Sequence, residues 1–318
     1  FAGVGNIVAT ELATNLARHA RGGYLLARLV SDPREARLPG LELLAVDRGP
    51  GLPDVARSLR DGYSTGGTPG TGLGAVRRLS QVFDIHGLPE RGTTVLSRLY
   101  RESRVPSEGA AIPAEGVVCM PNQGEEAPGD GWAVHHAPGR SSYLVVDGLG
   151  HGPQAAEAAL EAVRVFRENP GLAPADLLGE MHGVLRATRG AAVAVAAADW
   201  TRRSLLFAGV GNIVASILSL DGSSRSLMSH NGIVGHQMRK VRQLEFVWPS
   251  GAVLVMHSDG ITTRWKPSEY PGLPQRHPAL LAAAVHRDHA RGRDDATVLV
   301  ARDPVSPPAA WEGEASHA

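Results

Sequence analysis

Acidic residues end several apolar runs in the second half of the chain. Asp130 stands in "APGDGWAV", Asp147 in "YLVVDGLGHG", Asp259 in "VLVMHSDG", and Asp294 and Asp295 in "GRDDATVLV". One Asp-Gly alone is ordinarily a turn. Several carboxylates brought together would repel and raise each other's pKa. Hard divalent cations neutralise such a set through carboxylate oxygens, a carbonyl and waters. The first half carries a different pattern. Glu11, Asn15 and His19 recur every four residues, so a helix would put them on one face, which is also the spacing of a plain solvated face. Asp47 closes the apolar run "LLAVD", and Gly49 and Gly51 follow it. A carboxylate there can accept a hydrogen bond from an exocyclic amine while the glycines admit a flat ring, although an Asp-Arg-Gly-Pro turn is equally common. Gly70, Gly72 and Gly74 precede a helical stretch, where backbone N–H groups suit phosphate.

These residues need elements to hold them. Residues 6–21 predict a helix with Ile7, Leu12, Leu16 and Ala20 on its apolar face. "YLLARLV", "LELLAVD" and "TTVLSRLY" predict strands, with a helix from Ala75 to about Val82 between the last two. Residues 101–115 contain two prolines and no periodicity, and are expected to be a linker. Beyond them, strands are expected at "GVVCMP", "GWAVHHA", "SSYLVVDG", "AAVAVAAADW", "SLLFAGVGN", "IVASILSL", "AVLVMHSDG" and "ATVLVA". Helices are expected at 154–169 and 175–188, and a disordered tail at 303–318.

Two resemblances follow from the order of these motifs. "TELATNLARHA", "DRGPG" and "GTGLG" resemble the nucleotide boxes of GHKL ATPases, in the branch of anti-sigma-factor serine kinases and switch kinases. That resemblance covers residues 8–100 and implies a GHKL (Bergerat) α/β sandwich binding ATP with Mg²⁺. It implies Asn15 as the Mg²⁺ ligand, Glu11 as the general base toward an acceptor serine, and Asp47 as the adenine reader. Gly49, Gly51, Gly72, Gly74 and Thr94 would complete the nucleotide site, with residues 62–74 as a lid. His19 is expected to pack. The family's first strand and helix start precede the point where this chain begins, so residues 1–100 are expected to be an incomplete domain.

"DGLGHG", "FAGVGNI", "SDG" and "DDAT" resemble, over residues 116–302, the PPM-type serine/threonine phosphatases of the sporulation stage II E and stressosome-phosphatase branch. The implied fold is an αββα sandwich. Asp130, Asp147, the Gly148 carbonyl, Asp259 and Asp294 would hold two Mn²⁺ or Mg²⁺ ions that activate a water for in-line attack on phosphorus. Asp294 is preferred to Asp295 by motif position. His151 or His257 could serve as a general acid, but a structural role is the better expectation for each. The chain as a whole then reads as a two-domain α/β partner-switching regulator acting on STAS-type antagonist or anti-sigma-factor proteins. The alternative is a phosphatase with a non-catalytic ATP- or partner-binding N-terminal module.

Composition narrows the field. Lysine occurs only at Lys240 and Lys266, which excludes a P-loop or a eukaryotic-type kinase lysine in the first half. A C-x₅-R phosphatase is excluded because Glu125, not arginine, follows Cys119 at that spacing, so Cys119 is expected to be a buried strand residue. "GYSTG" at 62–66 lacks the strand and helix that a nucleophile elbow needs. A sensor-histidine-kinase fragment is disfavoured because no phosphoacceptor helix precedes the N box. Net charge is zero, so no electrostatic footprint for nucleic acid is present, and no apolar run suggests a membrane span. One cysteine fits a reducing cytosol, and a cytoplasmic location is expected. Oligomeric state is left open.

One oddity is a repeat: "FAGVGNIVA" occurs at 1–9 and again at 207–215. The flanks share nothing more, so the copies are expected to adopt different structures, helix entry and strand–turn–strand. The first is read as a scar of recombination, assembly or truncation.

Overall fold

The structure, a computed structural model, describes residues 1–31, 39–52, 55–59, 72–101 and 112–305. The elements in chain order are α1 (Ala2–His19), β1 (Gly23–Ser31), β2 (Pro39–Asp47), α2 (Val55–Ser58), α3 (Gly72–Leu79), β3 (Val82–Gly87) and β4 (Thr93–Tyr100). There follow β5 (Ile112–Met120), β6 (Asp130–Ala137), β7 (Arg140–Gly148), α4 (Pro153–Glu168), α5 (Pro174–Val184), β8 (Ala191–Asp199) and β9 (Ser204–Val210). The last are β10 (Val214–Leu218), β11 (Ser224–Leu227), β12 (Leu244–Val247), β13 (Val253–His257), α6 (Pro278–His289) and β14 (Ala296–Val305). The chain divides into two compact units: Phe1–Pro106 with Gln275–Asp288, and Ser107–Pro274 with His289–Ala318.

The first unit is built on an antiparallel sheet of order β1-β2-β4-β3. Alternate residues of its strands, Leu43, Ala45, Val95, Leu99 and Ile85, pack with Val8 and Leu12 of α1 and Val76 of α3. Helix α1 starts at Ala2, earlier than its periodicity suggests, and Ile7 is 51% exposed. Val8, four residues before Leu12, takes the buried position that was expected of Ile7; a residue five before Leu12 falls off the face. Helix α3 ends sooner than expected, at Leu79, where the Ser80 hydroxyl donates to the Val76 carbonyl (2.6 Å). That stop leaves room for β3, a strand that the sequence did not lead us to expect. On β2, buried Glu42 accepts from Nε of both Arg28 (2.6 Å) and Arg98 (2.7 Å), its register partners on the flanking strands. Helix α6 contributes to this unit as well: Tyr24 and His286 share a hydrogen bond of 2.9 Å, and Asp84 accepts from the His277 N–H at 2.7 Å.

The second unit holds two five-stranded antiparallel sheets, ordered β11-β10-β13-β14-β5 and β12-β9-β8-β7-β6. Tyr143, Val145, Phe207, Leu254, Met256 and Leu299 fill the space between them, closed by Trp248 and small Ala194 and Ala196. The opposite face of the second sheet, including Leu144, Val146, Val193 and Val195, packs on Ala158, Phe166, Leu178 and Met181 of α4 and α5. Strand β7 is therefore buried on both faces, which explains its unbroken apolar run.

The repeat resolves into two backbones. Residues 1–9 lie in or cap α1, whereas 207–215 run through β9, a turn and the start of β10. Gly211 has φ +99°, and a Cβ there would stand 2.4 Å from the Ala192 Cβ, so glycine is required. Nothing lies within 4 Å of the corresponding point at Gly3.

Candidate functional site

In the second unit, Asp130 opens β6 and Asp147 is its register partner near the end of β7. Asp259 follows β13 and Asp294 precedes β14. Asp130 is buried, and its Oδ2 accepts from the Ser258 hydroxyl at 2.6 Å. Ser258 in turn accepts from the Thr297 N–H at 3.0 Å, tying the two loops together. Asp259 Oδ2 accepts from Asn212 Nδ2 at 2.7 Å. Asp295 is buried and accepts from the Asn122 N–H at 2.8 Å, while Asp294 is only half-buried. Gly148 ends β7.

Burial pushes the Asp130 carboxyl up to about 7, despite the Ser258 bond, with smaller contributions from Asp295 and Asp294. Burial also raises Asp147, to about 8, assisted by the charges of Asp130, Asp259 and Asp294. Asp294 is raised by burial and then by Asp259. Among the described residues no three His, Cys, Asp or Glu side chains form a ready-made metal cluster. Asp147 pairs in register with Asp130 and feels the charges of Asp130, Asp259 and Asp294, a loose set of carboxylates that suits Mg²⁺-like ions, which keep waters and take few direct protein ligands.

The histidines are occupied structurally. His257 is buried, hydrogen-bonded through Nδ1 to the Ser258 carbonyl (2.9 Å), and its Nε2 accepts from Trp265 Nε1 (3.4 Å). Burial lowers its pKa, which favours the neutral ring. His151 is exposed and lies 2.9 Å from Glu125 Oε1. His236 Nε2 meets the Thr188 carbonyl at 3.1 Å. Cys119 is half-buried in β5. Asn212 and Ser258 escaped the sequence reading, although both sit inside quoted motifs; their neighbours drew attention first.

In the first unit, Glu11 and Asn15 of α1 face the start of α3. A Cβ on Gly72 would lie 3.1 Å from Glu11 Oε2 and 3.7 Å from both polar atoms of the Asn15 side chain. Among the described residues Asn15 Nδ2 is buried without a hydrogen-bond partner, a donor left for an acceptor to satisfy. Asp47 is half-buried, its Oδ1 accepting from the Gly49 N–H at 2.5 Å. Gly51 follows with φ +76°, and Gly74 is buried in α3. Thr94 is buried on β4 beside the end of β2. His19, expected to pack, is exposed, because it follows Asn15 by one turn at the fraying end of α1. Residues 62–71 of the expected lid, with the "GYSTG" stretch, lie outside the described residues, as do most of the expected linker and residues 306–318.

Comparison with known proteins adds three likenesses. Over 86 residues the chain is 36% identical to the serine/threonine-protein kinase RsbT of Bacillus subtilis (strain 168); this is 27% of the chain, which spans 62% of that kinase's length. A structure described as "The bacterial stressosome: a modular system that has been adapted to control secondary messenger signaling" aligns with TM-score 0.57 and 29% identity, covering 60% of this chain and 100% of that one. The PP2C phosphatase domain with a fragment of the regulatory domain of SpoIIE from Bacillus subtilis aligns with TM-score 0.52 and 16% identity, covering 96% of this chain and 95% of that one. The two sheets and their helices are thus a PP2C-type αββα sandwich. The family model of Stage II sporulation protein E (SpoIIE) matches residues 137–303, more than half of the sequence, and the chain belongs to that family of PP2C-type serine/threonine phosphatases.

Proposed function

We propose that the C-terminal unit is a metal-dependent phosphatase that acts on phosphoserine or phosphothreonine of a STAS-type antagonist protein. The carboxylates gathered around Asp147, with Asp130 and Asp147 both raised chiefly by burial, support this reading most directly. Asp130, Asp147, the Gly148 carbonyl, Asp259 and Asp294 would hold two Mn²⁺ or Mg²⁺ ions. When bound, such a pair supplies the charge that acidifies water and offsets the negative charge of a phosphoryl group. The chain's own contribution is orientation: Ser258 fixes Asp130, and Asn212 fixes Asp259. Asp295, engaged by Asn122, anchors the loop that presents Asp294. Water adds to phosphorus as the serine oxygen leaves and takes a proton, giving serine and inorganic phosphate. Asp259→Asn should lower Mn²⁺-dependent hydrolysis of a phospho-antagonist by at least about a thousandfold. Wild-type rates in that variant would overturn the ligand set.

The N-terminal unit serves in this reading as an ATP- or partner-binding module. Its support is the partnerless Asn15 amide facing Gly72, together with the RsbT likeness. In the kinase version, Glu11 accepts the serine proton and Asn15 holds Mg²⁺. Asp47 reads adenine among Gly49, Gly51, Gly72, Gly74 and Thr94. Calorimetry with Mg·ATP on the full chain, with and without Asn15→Ala, tests binding. Phosphate transfer to the antagonist, with and without Glu11→Ala, tests turnover. Binding without transfer favours the module, and both together favour the kinase.

A further inference from the structure

A cavity of about 330 Å³ is lined by Thr262, Thr263, Arg264 and Arg291. All four residues belong to the second unit. Two backbone bonds shape it: the Thr262 N–H donates to the His289 carbonyl (2.9 Å), and the Arg291 N–H donates to the Gly260 carbonyl (2.8 Å). A bridge between Ile261 and Ala290 lies between those bonds. The turn after β13 and the loop before β14 are therefore fastened together. Thr262 Oγ1 is engaged with His289 Nδ1 at 3.3 Å. Arg264 and Arg291 are exposed, and among the described residues neither guanidinium has an ion pair or side-chain hydrogen bond. No carboxylate lines the cavity. Two like-charged forks with five donors each thus line a space to which only threonine hydroxyls and no carboxylate are offered by side chains. A group with several anionic oxygens answers both the charge and the donors.

Position says where that group comes from. Arg264 follows Asp259 by five residues and Arg291 precedes Asp294 by three, so arginines and expected metal ligands ride on the same two loops. Three residues span at most about 10 Å. An anion in this cavity would sit on the two loops that also carry Asp259 and Asp294.

We infer that the Arg264–Arg291 cavity binds an oxyanion of the phosphoprotein substrate, either the phosphoryl oxygens or the carboxylate of an acidic neighbour. The inference rests on the phosphatase reading above, and the test separates the two. The full chain is compared with the Arg264→Ala/Arg291→Ala double variant after their melting temperatures are matched. The probes are p-nitrophenyl phosphate, inorganic phosphate as inhibitor, and two phosphoserine peptides flanked by Glu or by Gln. KM for the Glu-flanked peptide should rise about tenfold, more than kcat falls, and Lys at both positions should restore part of it. A penalty confined to that peptide assigns the cavity to the carboxylate. A penalty shared by all substrates, with weaker phosphate inhibition, assigns it to the phosphoryl group. Unchanged KM and inhibition constants overturn the inference. A wild-type protein inactive toward every substrate with Mn²⁺ overturns the phosphatase reading instead. Calorimetric titration of phosphate and of the Glu-flanked peptide then decides the cavity by itself: heat lost in the double variant supports it, and equal heats overturn it.

Discussion

Asn212 donates to Asp259 from a turn distant in sequence, and an amide that holds a carboxylate in one rotamer would do for the proposed metal site what the carboxylate cannot do alone. Removing such a partner typically costs 10–100-fold in metal affinity or activity, so Asn212→Ala should raise the Mn²⁺ concentration for half-activity by roughly that factor. A metal titration of the purified variant checks it. Glu42 is a residue of another kind. It is buried and pairs with two guanidinium groups, and its carboxyl is held below the usual range by Arg98 and Arg28 against the effect of burial. Arg98 is itself nearly buried, so Glu42→Ala removes one partner of a buried ion pair and should lower unfolding free energy by about 3 kcal/mol in denaturant titration. Replacing all three residues by apolar ones should cost much less.

At the scale of elements, Gly211→Ala sets a Cβ against Ala192 at a backbone angle that side chains avoid, and should destabilise the β9–β10 turn by about 1–3 kcal/mol. Thermal unfolding would show it, with the hydrolytic activity falling as Asn212 is displaced. The same region shows what the sequence could reveal. Strands such as β7 and β14 were legible because their apolar runs end abruptly at glycine or aspartate. The expected metal ligands were legible for the same reason, since a carboxylate interrupting such a run is conspicuous. Helix α6 was missed because "PALLAAAVHRDH" is buried on nearly every side, which erases the amphipathic period that marks a helix. Strands β11 and β12 are four residues each, too short to show alternation. Ser258 and Asn212 depend on partners 128 and 47 residues away, a distance no local pattern encodes.

At the scale of the molecule, protons and metal ions should each shift stability. Burial, assisted by the charge of Arg48, lowers His286 to about 4, and the Tyr24 hydroxyl faces its ring. Between that value and its ordinary 6.5 the unfolded chain binds the extra proton at this site, so the His286 contribution to stability falls as the solution is acidified through this window, while the raised Asp130 and Asp147 carboxyls of the second unit contribute in the opposite sense. The loss amounts to about 3 kcal/mol, and His286→Gln should flatten the slope in melts taken between the two pH values. Divalent ions should act in the opposite sense. A cation that binds the folded set of carboxylates at a hundred times its dissociation constant adds about 2.7 kcal/mol, so chelation should lower the melting temperature of the wild type more than that of Asp259→Asn. No helix among the described residues is long and apolar enough to cross a membrane.

The duplicated nonapeptide gives the chain a decoy. Residues 1–4 carry the same side chains as 207–210, the part of β9 that pairs with Val193–Ala196 of β8. The first copy is therefore expected to compete for that edge until it coils into α1. Position 3 corresponds to 209, where a Cβ would strike the Ser229 hydroxyl at 2.3 Å, yet at Gly3 the same Cβ meets nothing. Gly3→Ala therefore strengthens the helix by up to about 1 kcal/mol and disqualifies the impostor strand in one step. Refolding of that variant should be faster and leave less aggregate than wild type, and Gly209→Ala should do the reverse.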